Sequence, residues 1–127
     1  MRHSRHYTVL EANAARPWVA ERVRRIRAAR EELLALGQAA GEALAKLDPQ
    51  TGGSYPGREV ARSLVALSRA AGELQAVEVL LRDADRGLVD FPAIRDGQEV
   101  YLCWLLEEDE IRFWHAPEAG FAGRRPL

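Results

Sequence analysis

The spacing of apolar residues changes character at about Val77, and no other feature of the chain constrains its fold as much. Before that point Val19, Val23, Ile26, Leu33, Leu36, Ala40, Leu44 and Leu47 recur at three, four or seven residues, with Arg and Glu between them. This is the pattern of an amphipathic helix. It runs to about Leu47, where Asp48-Pro49 and the turn-rich stretch Gln50 to Gly57 end it. Val60, Leu64, Leu67, Ala71 and Leu74 then repeat at four and three, a short coiled-coil-like seam on a second helix. Two such helices with a short connection predict a long antiparallel hairpin.

Upstream, Thr8-Val9-Leu10-Glu11 matches a capping box, in which hydroxyl and carboxylate satisfy exposed amides reciprocally. A short helix from Val9 to Ala15 is expected there. Pro17 lacks an amide, so it should interrupt that helix and open the longer one.

After Val77 the runs become short and β-like. Val79 to Leu81 and Leu88 to Phe91 flank the turn Asp83 to Gly87. Asp96-Gly97 favours the positive φ of a tight hairpin. Glu99 to Leu105 is the best strand, and Ile111 to His115 returns after the acidic turn Glu107 to Glu110. The fold class is therefore α+β: a helical hairpin followed by a three- to four-stranded antiparallel meander. One domain is expected over 1–127, with a helical part at 9–77 and the meander and tail at 78–127.

The strand Glu99 to Leu105 is apolar on both sides, with Val100, Leu102 and Trp104 opposite Tyr101, Cys103 and Leu105. One side can pack on the helices. The other needs a cover, supplied by the segment around Phe121 or by a second subunit. Size favours a second subunit: a helix from Pro17 to Leu47 is about 46 Å long, whereas a compact chain of this length is about 36 Å across. A homodimer assembled through the helices is expected.

Composition narrows the classes. The chain has 127 residues, 47% apolar and 29% charged, enough to bury a core without disulfides. Cys103 is the single cysteine, so no internal disulfide can form. No apolar run reaches the roughly 20 residues that span a bilayer. Residues 8–15 do not supply the apolar stretch of a signal peptide, so no membrane association and a cytoplasmic location are expected. The net charge of −1 conceals 12 basic and 7 acidic residues in 1–72, against 6 and 12 in 73–127. The two halves can attract each other, within a subunit or between subunits.

The C-terminal third is the most distinctive part. Gly87-Leu88-Val89-Asp90-Phe91-Pro92 precedes Gly97-Gln98-Glu99-Val100-Tyr101-Leu102-Cys103-Trp104. Trp114-His115 and Gly120-Phe121-Ala122-Gly123-Arg124-Arg125-Pro126-Leu127 follow. With the opening Tyr7 to Asn13, this string resembles an uncharacterised bacterial family, domain of unknown function 2203. The resemblance implies that the tail to Leu127 belongs to the domain, and it carries no activity. Ala14-Ala15-Arg16 departs from the more leucine-rich lead-in expected before Pro17.

Candidate chemistry gathers in the same third, in Asp90, Tyr101, Trp104, Trp114, His115 and Arg124. Asp90 could orient His115 as a general base, and Arg124 could hold an anion by a bidentate contact. The plainer reading has Asp90 capping a turn, His115 bonded at a strand end and Arg124 fixing the tail. Cys103 with His115 suggests a thiol nucleophile, although a cysteine inside an apolar strand is usually inert. His3 and His6, with or without His115, have compatible metal spacing, but no Cys pair or carboxylate completes a recognisable site. Residues before Thr8 are expected to fray. Neither metal nor cofactor is expected.

Arg22, Arg24, Arg25, Arg27 and Arg30 wrap around the helix and are interrupted by Glu21, Glu31 and Glu32, so nucleic acid is not an expected partner. The loop Thr51 to Gly57 lacks the Gly-Lys-Ser/Thr ending of a phosphate loop and reads as a connector. The reading that follows is a non-enzymatic, homo-oligomeric interaction or ligand-binding module, with an unidentified protein or small molecule as partner. The alternative is a small enzyme with a pocket around Asp90, His115 and Arg124.

Overall fold

The computed structural model describes residues 1–45 and 57–127. Helix α1 spans Val9–Ala45 and α2 spans Gly57–Ala76. The expected helix end at Leu47 and the connector from Gln50 to Pro56 lie outside the described residues.

The capping box forms as the spacing predicts. The Glu11 amide donates to Thr8 Oγ1 at 3.0 Å and the Thr8 amide to Glu11 Oε1 at 3.1 Å. Pro17, however, does not divide the helix; α1 runs straight through it. A proline removes one intrahelical bond, that to the Asn13 carbonyl. Tertiary contacts on either side outweigh that loss. Ala12, Val19 and Val23 are fully buried, and Asn13 Oδ1 accepts from the Arg16 side chain and from the Ile111 amide.

The two helices meet over their sheet-proximal halves, where Arg22 Nε pairs with Glu73 at 2.8 Å. Ala29 and Ala70 are buried there. Farther out Leu33 and Leu36 of the α1 stripe are half-buried, while Leu34 beside it is 68% exposed, and on α2 Leu64 is 52% and Val65 55% exposed. Of the expected α2 seam, Leu74 is buried and Leu67 and Ala71 partly so, while Leu64 faces outward.

The sheet has five antiparallel strands rather than three or four. They are β1 (Leu80–Asp83), β2 (Leu88–Arg95), β3 (Gln98–Leu105), β4 (Phe113–His115) and β5 (Arg125–Pro126), in spatial order β1-β2-β3-β4-β5. The fifth escapes a periodicity reading because it holds two residues, one of them proline; it pairs Trp114 with Arg125 and Phe113 with Pro126. Asp96 and Gly97 adopt φ of 51° and 76° and close β2 on β3 as a two-residue hairpin. Beyond Asp90 the outer side of β2 has no β1 partner. The Tyr7 amide fills that place, donating to the Pro92 carbonyl at 2.7 Å.

Strand alternation divides the sheet into two faces. Val89, Phe91, Ala93, Val100, Leu102 and Trp104 join Val19, Val23, Ile26, Ala70 and Leu74 in one core. The opposite, outer face carries Asp90, Tyr101, Cys103 and His115.

Candidate functional site

Register places the outer-face residues together. Asp90 lies opposite Cys103 in the β2–β3 ladder, and Tyr101 lies opposite His115 in the β3–β4 ladder. Asp90 and His115 are buried to 2% and 3% exposure and Cys103 to 0%. His115 Nε2 stands 3.0 Å from both Asp90 oxygens, and its Nδ1 stands 2.7 Å from the Ala116 carbonyl. Because that carbonyl can only accept, Nδ1 carries a hydrogen and the imidazole orientation is fixed. Arg82 Nε donates to Asp90 Oδ2 at 3.0 Å. The Tyr101 hydroxyl sits 2.8 Å from His3 Nε2, and its ring lies 5.5 Å from that of His115.

Asp90, Tyr101 and His115 floor a cavity of about 400 Å³ whose walls include Arg2, Arg82, Pro117 and Phe121. Both ends of the chain contribute to it. The N-terminal residues, expected to fray, are instead tied down. The Arg2 and His3 amides donate to the Glu99 carboxylate, His6 Nε2 lies 2.7 Å from it, and Ser4 bonds Glu78. Partial desolvation raises the Glu99 pKa, but the hydrogen bonds from His6, Arg2 and His3 more than reverse this and bring it down to about 2. His3 and His6 are thus engaged away from His115.

Of the sequence-derived candidates, Asp90, Tyr101 and His115 converge. Trp104 and Trp114 belong to the other face: Trp104 is buried in the helix-facing core and Trp114 packs against that core. Arg124 does not enter the cavity. Its Nη2 bonds both Glu108 oxygens, at 2.7 and 2.9 Å, and its guanidinium lies over Phe113. Glu108 in turn holds the Leu105 amide and gives its carbonyl to Trp104 Nε1, so Arg124 anchors the β3–β4 connection.

A free thiolate nucleophile is not available at Cys103. Burial, reinforced by the nearby Asp90 charge, pushes its pKa up to about 12. Asp90, Cys103 and His115 are nevertheless the one group of three among the described residues whose metal-ligating atoms lie mutually within 4.8 Å. Sequence reading missed Arg82 and Arg2 at the cavity wall. For Arg82 the available signal is its place on β1, two residues past Leu80, which pairs with Asp90.

The family described as an uncharacterized conserved protein (DUF2203) matches residues 5–127. The chain belongs to this family. The match takes in Asp90, Cys103, His115 and the β5 tail, whereas Arg2 and His3 precede it. No curated protein and no solved structure matches the chain. Among the described residues, no helix is long and apolar enough to cross a membrane.

Proposed function

We propose that this protein is a ligand-binding module that takes a small anion in the outer-face cavity, without catalysis, and that it works as a homodimer. The observation that carries the ligand reading is the pair Arg2 and Arg82 at the walls of a cavity whose only acidic lining residue among the described residues, Asp90, is already engaged by His115 and Arg82. Guanidinium groups at such a rim recognise carboxylate or phosphate oxygens well. Leu88, Pro117 and Phe121 add apolar wall for a short organic portion.

The dimer reading is supported by Leu34, Leu64 and Val65, apolar side chains exposed on the far halves of α1 and α2. In this reading the two helices form an antiparallel hairpin that assembles subunits, and residues 1–127 act as one domain.

Calorimetric titration of chelator-treated protein with inorganic phosphate and with a short carboxylate tests the ligand. Binding that weakens about tenfold in Arg82→Gln supports it; no binding of either anion at millimolar concentration by folded protein overturns it. Light scattering tests the assembly. A dimer that Leu64→Glu/Val65→Glu converts to a folded monomer supports it, and a wild-type monomer at high concentration refutes it.

A second reading, a small enzyme, is favoured by the burial of the Asp90–His115 pair at the cavity floor. Arg124 has no substrate role in it, since Glu108 occupies its guanidinium. Turnover in an ester and phosphoester screen that disappears in folded His115→Gln is the result that would replace the binding module by an enzyme.

A further inference from the structure

We propose that Asp90, Cys103 and His115 form a binding site for a divalent transition-metal ion of the zinc type, with its open coordination position toward the outer-face cavity. The donor set is one carboxylate oxygen, one sulfur and one imidazole nitrogen, from three adjacent strands, with each donor within 4.8 Å of the others. Zinc accepts these three atom types at about 2.0–2.3 Å in tetrahedral geometry, and sites with three protein ligands keep a fourth position for water or ligand. Calcium and magnesium demand oxygen donors and do not suit a buried sulfur.

Two further features point to a cation between these groups. His115 Nδ1 gives its hydrogen to the Ala116 carbonyl, so Nε2 directs its remaining capacity at Asp90 Oδ1 and Oδ2, both acceptors when ionised. A positive centre must mediate that contact. Separate protons would serve the His115–Asp90 and Cys103–Asp90 contacts; a single metal ion engages all three donors at one centre. One carboxylate and one thiolate also balance a dication, leaving the buried centre neutral. The outer contacts are those that orient metal ligands: a backbone carbonyl behind the histidine and Arg82 on the second carboxylate oxygen. His3 and His6 are occupied by Tyr101 and Glu99 and are not part of the site.

The site shares a cavity with the proposed anion but does not rest on that reading. The test is titration of the chelator-treated full-length chain, reduced and anaerobic, with Co²⁺ and then Zn²⁺. One Co²⁺ per chain is expected, with a thiolate-to-metal charge-transfer absorption that Zn²⁺ abolishes by displacement. Cys103 is the single cysteine, so that absorption locates the ion without any substitution. Cys103→Ser should lose the absorption, and Cys103→Ser and His115→Gln should each bind at least about 100-fold more weakly. Arg82→Gln should cost about tenfold, and His3→Ala/His6→Ala should leave the spectrum unchanged.

Absence of the charge-transfer absorption in folded wild type with excess Co²⁺ overturns the proposal, as does metal binding that the His3/His6 substitution abolishes. If Cys103→Ser does not fold, as near-ultraviolet circular dichroism would reveal, the wild-type spectrum decides alone. Phosphate binding by chelator-treated protein is a separate readout. Phosphate binding without the Co²⁺ absorption sinks only the metal site, and the absorption without phosphate binding sinks only the anion reading.

Discussion

The two faces of the sheet are built from neighbouring residues of the same strands, yet they answer to different physics. On the helix-facing side Phe91, Leu102 and Trp104 bury apolar surface, and each contributes stability directly. On the outer side Asp90, Cys103 and His115 are buried just as deeply, but burying polar groups costs free energy that their mutual contacts only offset. A buried polar or ionic pair is often replaceable by apolar residues with no loss of stability. Folding alone therefore gives no reason for its presence at a cavity floor, and the proposed binding site would supply one. One alternation of side chains separates an apolar core face from a face of buried polar groups.

The comparison breaks most readily with large truncations. Phe91→Ala should lower unfolding free energy by about 3–5 kcal/mol in chemical denaturation, through lost burial and a cavity. It should leave metal or anion binding intact wherever the protein stays folded. Asp90→Ala should cost about 3 kcal/mol by leaving His115 and Arg82 without their partner, whereas Asp90→Leu/His115→Phe should regain most of that stability and bind nothing. A double variant as unstable as the single one would show that the outer face serves folding after all.

Tyr7→Phe sharpens the contrast at the junction of arm and core. It removes the bond from the Tyr7 hydroxyl to the Val77 carbonyl while keeping the ring against Phe91, so a loss of about 1 kcal/mol is expected.

The smallest expected effects are with pH. The Glu99 pKa is lowered on folding from 4.5 to about 2, so its contribution is present above pH 4.5 and lost as pH falls toward 2. Acidification over that window should release the N-terminal arm before global unfolding, seen as faster exchange of the Arg2 and His3 amides; Glu99→Gln should remove this step. Cys103 has the opposite sign. Its pKa is raised from 9.0 to about 12, so metal-free protein should lose stability as pH rises through that interval, and Cys103→Ala should flatten the alkaline slope.

Much of this contrast was legible in the chain, in unequal parts. The capping box at Thr8 and the hairpin at Asp96-Gly97 are local signals, and each formed where the residues specify it. Once that hairpin is fixed, counting back in register from Ile94 and Glu99 brings Asp90 opposite Cys103. The pairing at the heart of the site was therefore available before any coordinates. The arrival of His115 was not, because it depends on how the Glu107–Glu110 turn is held by Glu108, Arg124 and the Trp104 indole. Pro17 misled because a local rule met a buried helix face. The N-terminal arm misled because its order comes from Glu99 and Glu78, more than seventy residues away. Trp104 and Trp114 drew attention as aromatic residues, while strand alternation sends them to the core side.

The pairing of Tyr7 with Pro92 bears on how the molecule can meet others. A sheet invites foreign strands where an edge presents a run of unpaired amides and carbonyls. Here β1 is four residues long and β5 only two, ending in Pro126, and the uncovered stretch of β2 is met by Tyr7 at a residue that has no amide to offer. Such short, proline-interrupted margins give a neighbouring chain little to zip onto. Self-association by strand addition is thereby disfavoured even at high concentration, so the proposed dimer would have to form through side-chain surfaces such as the far halves of α1 and α2.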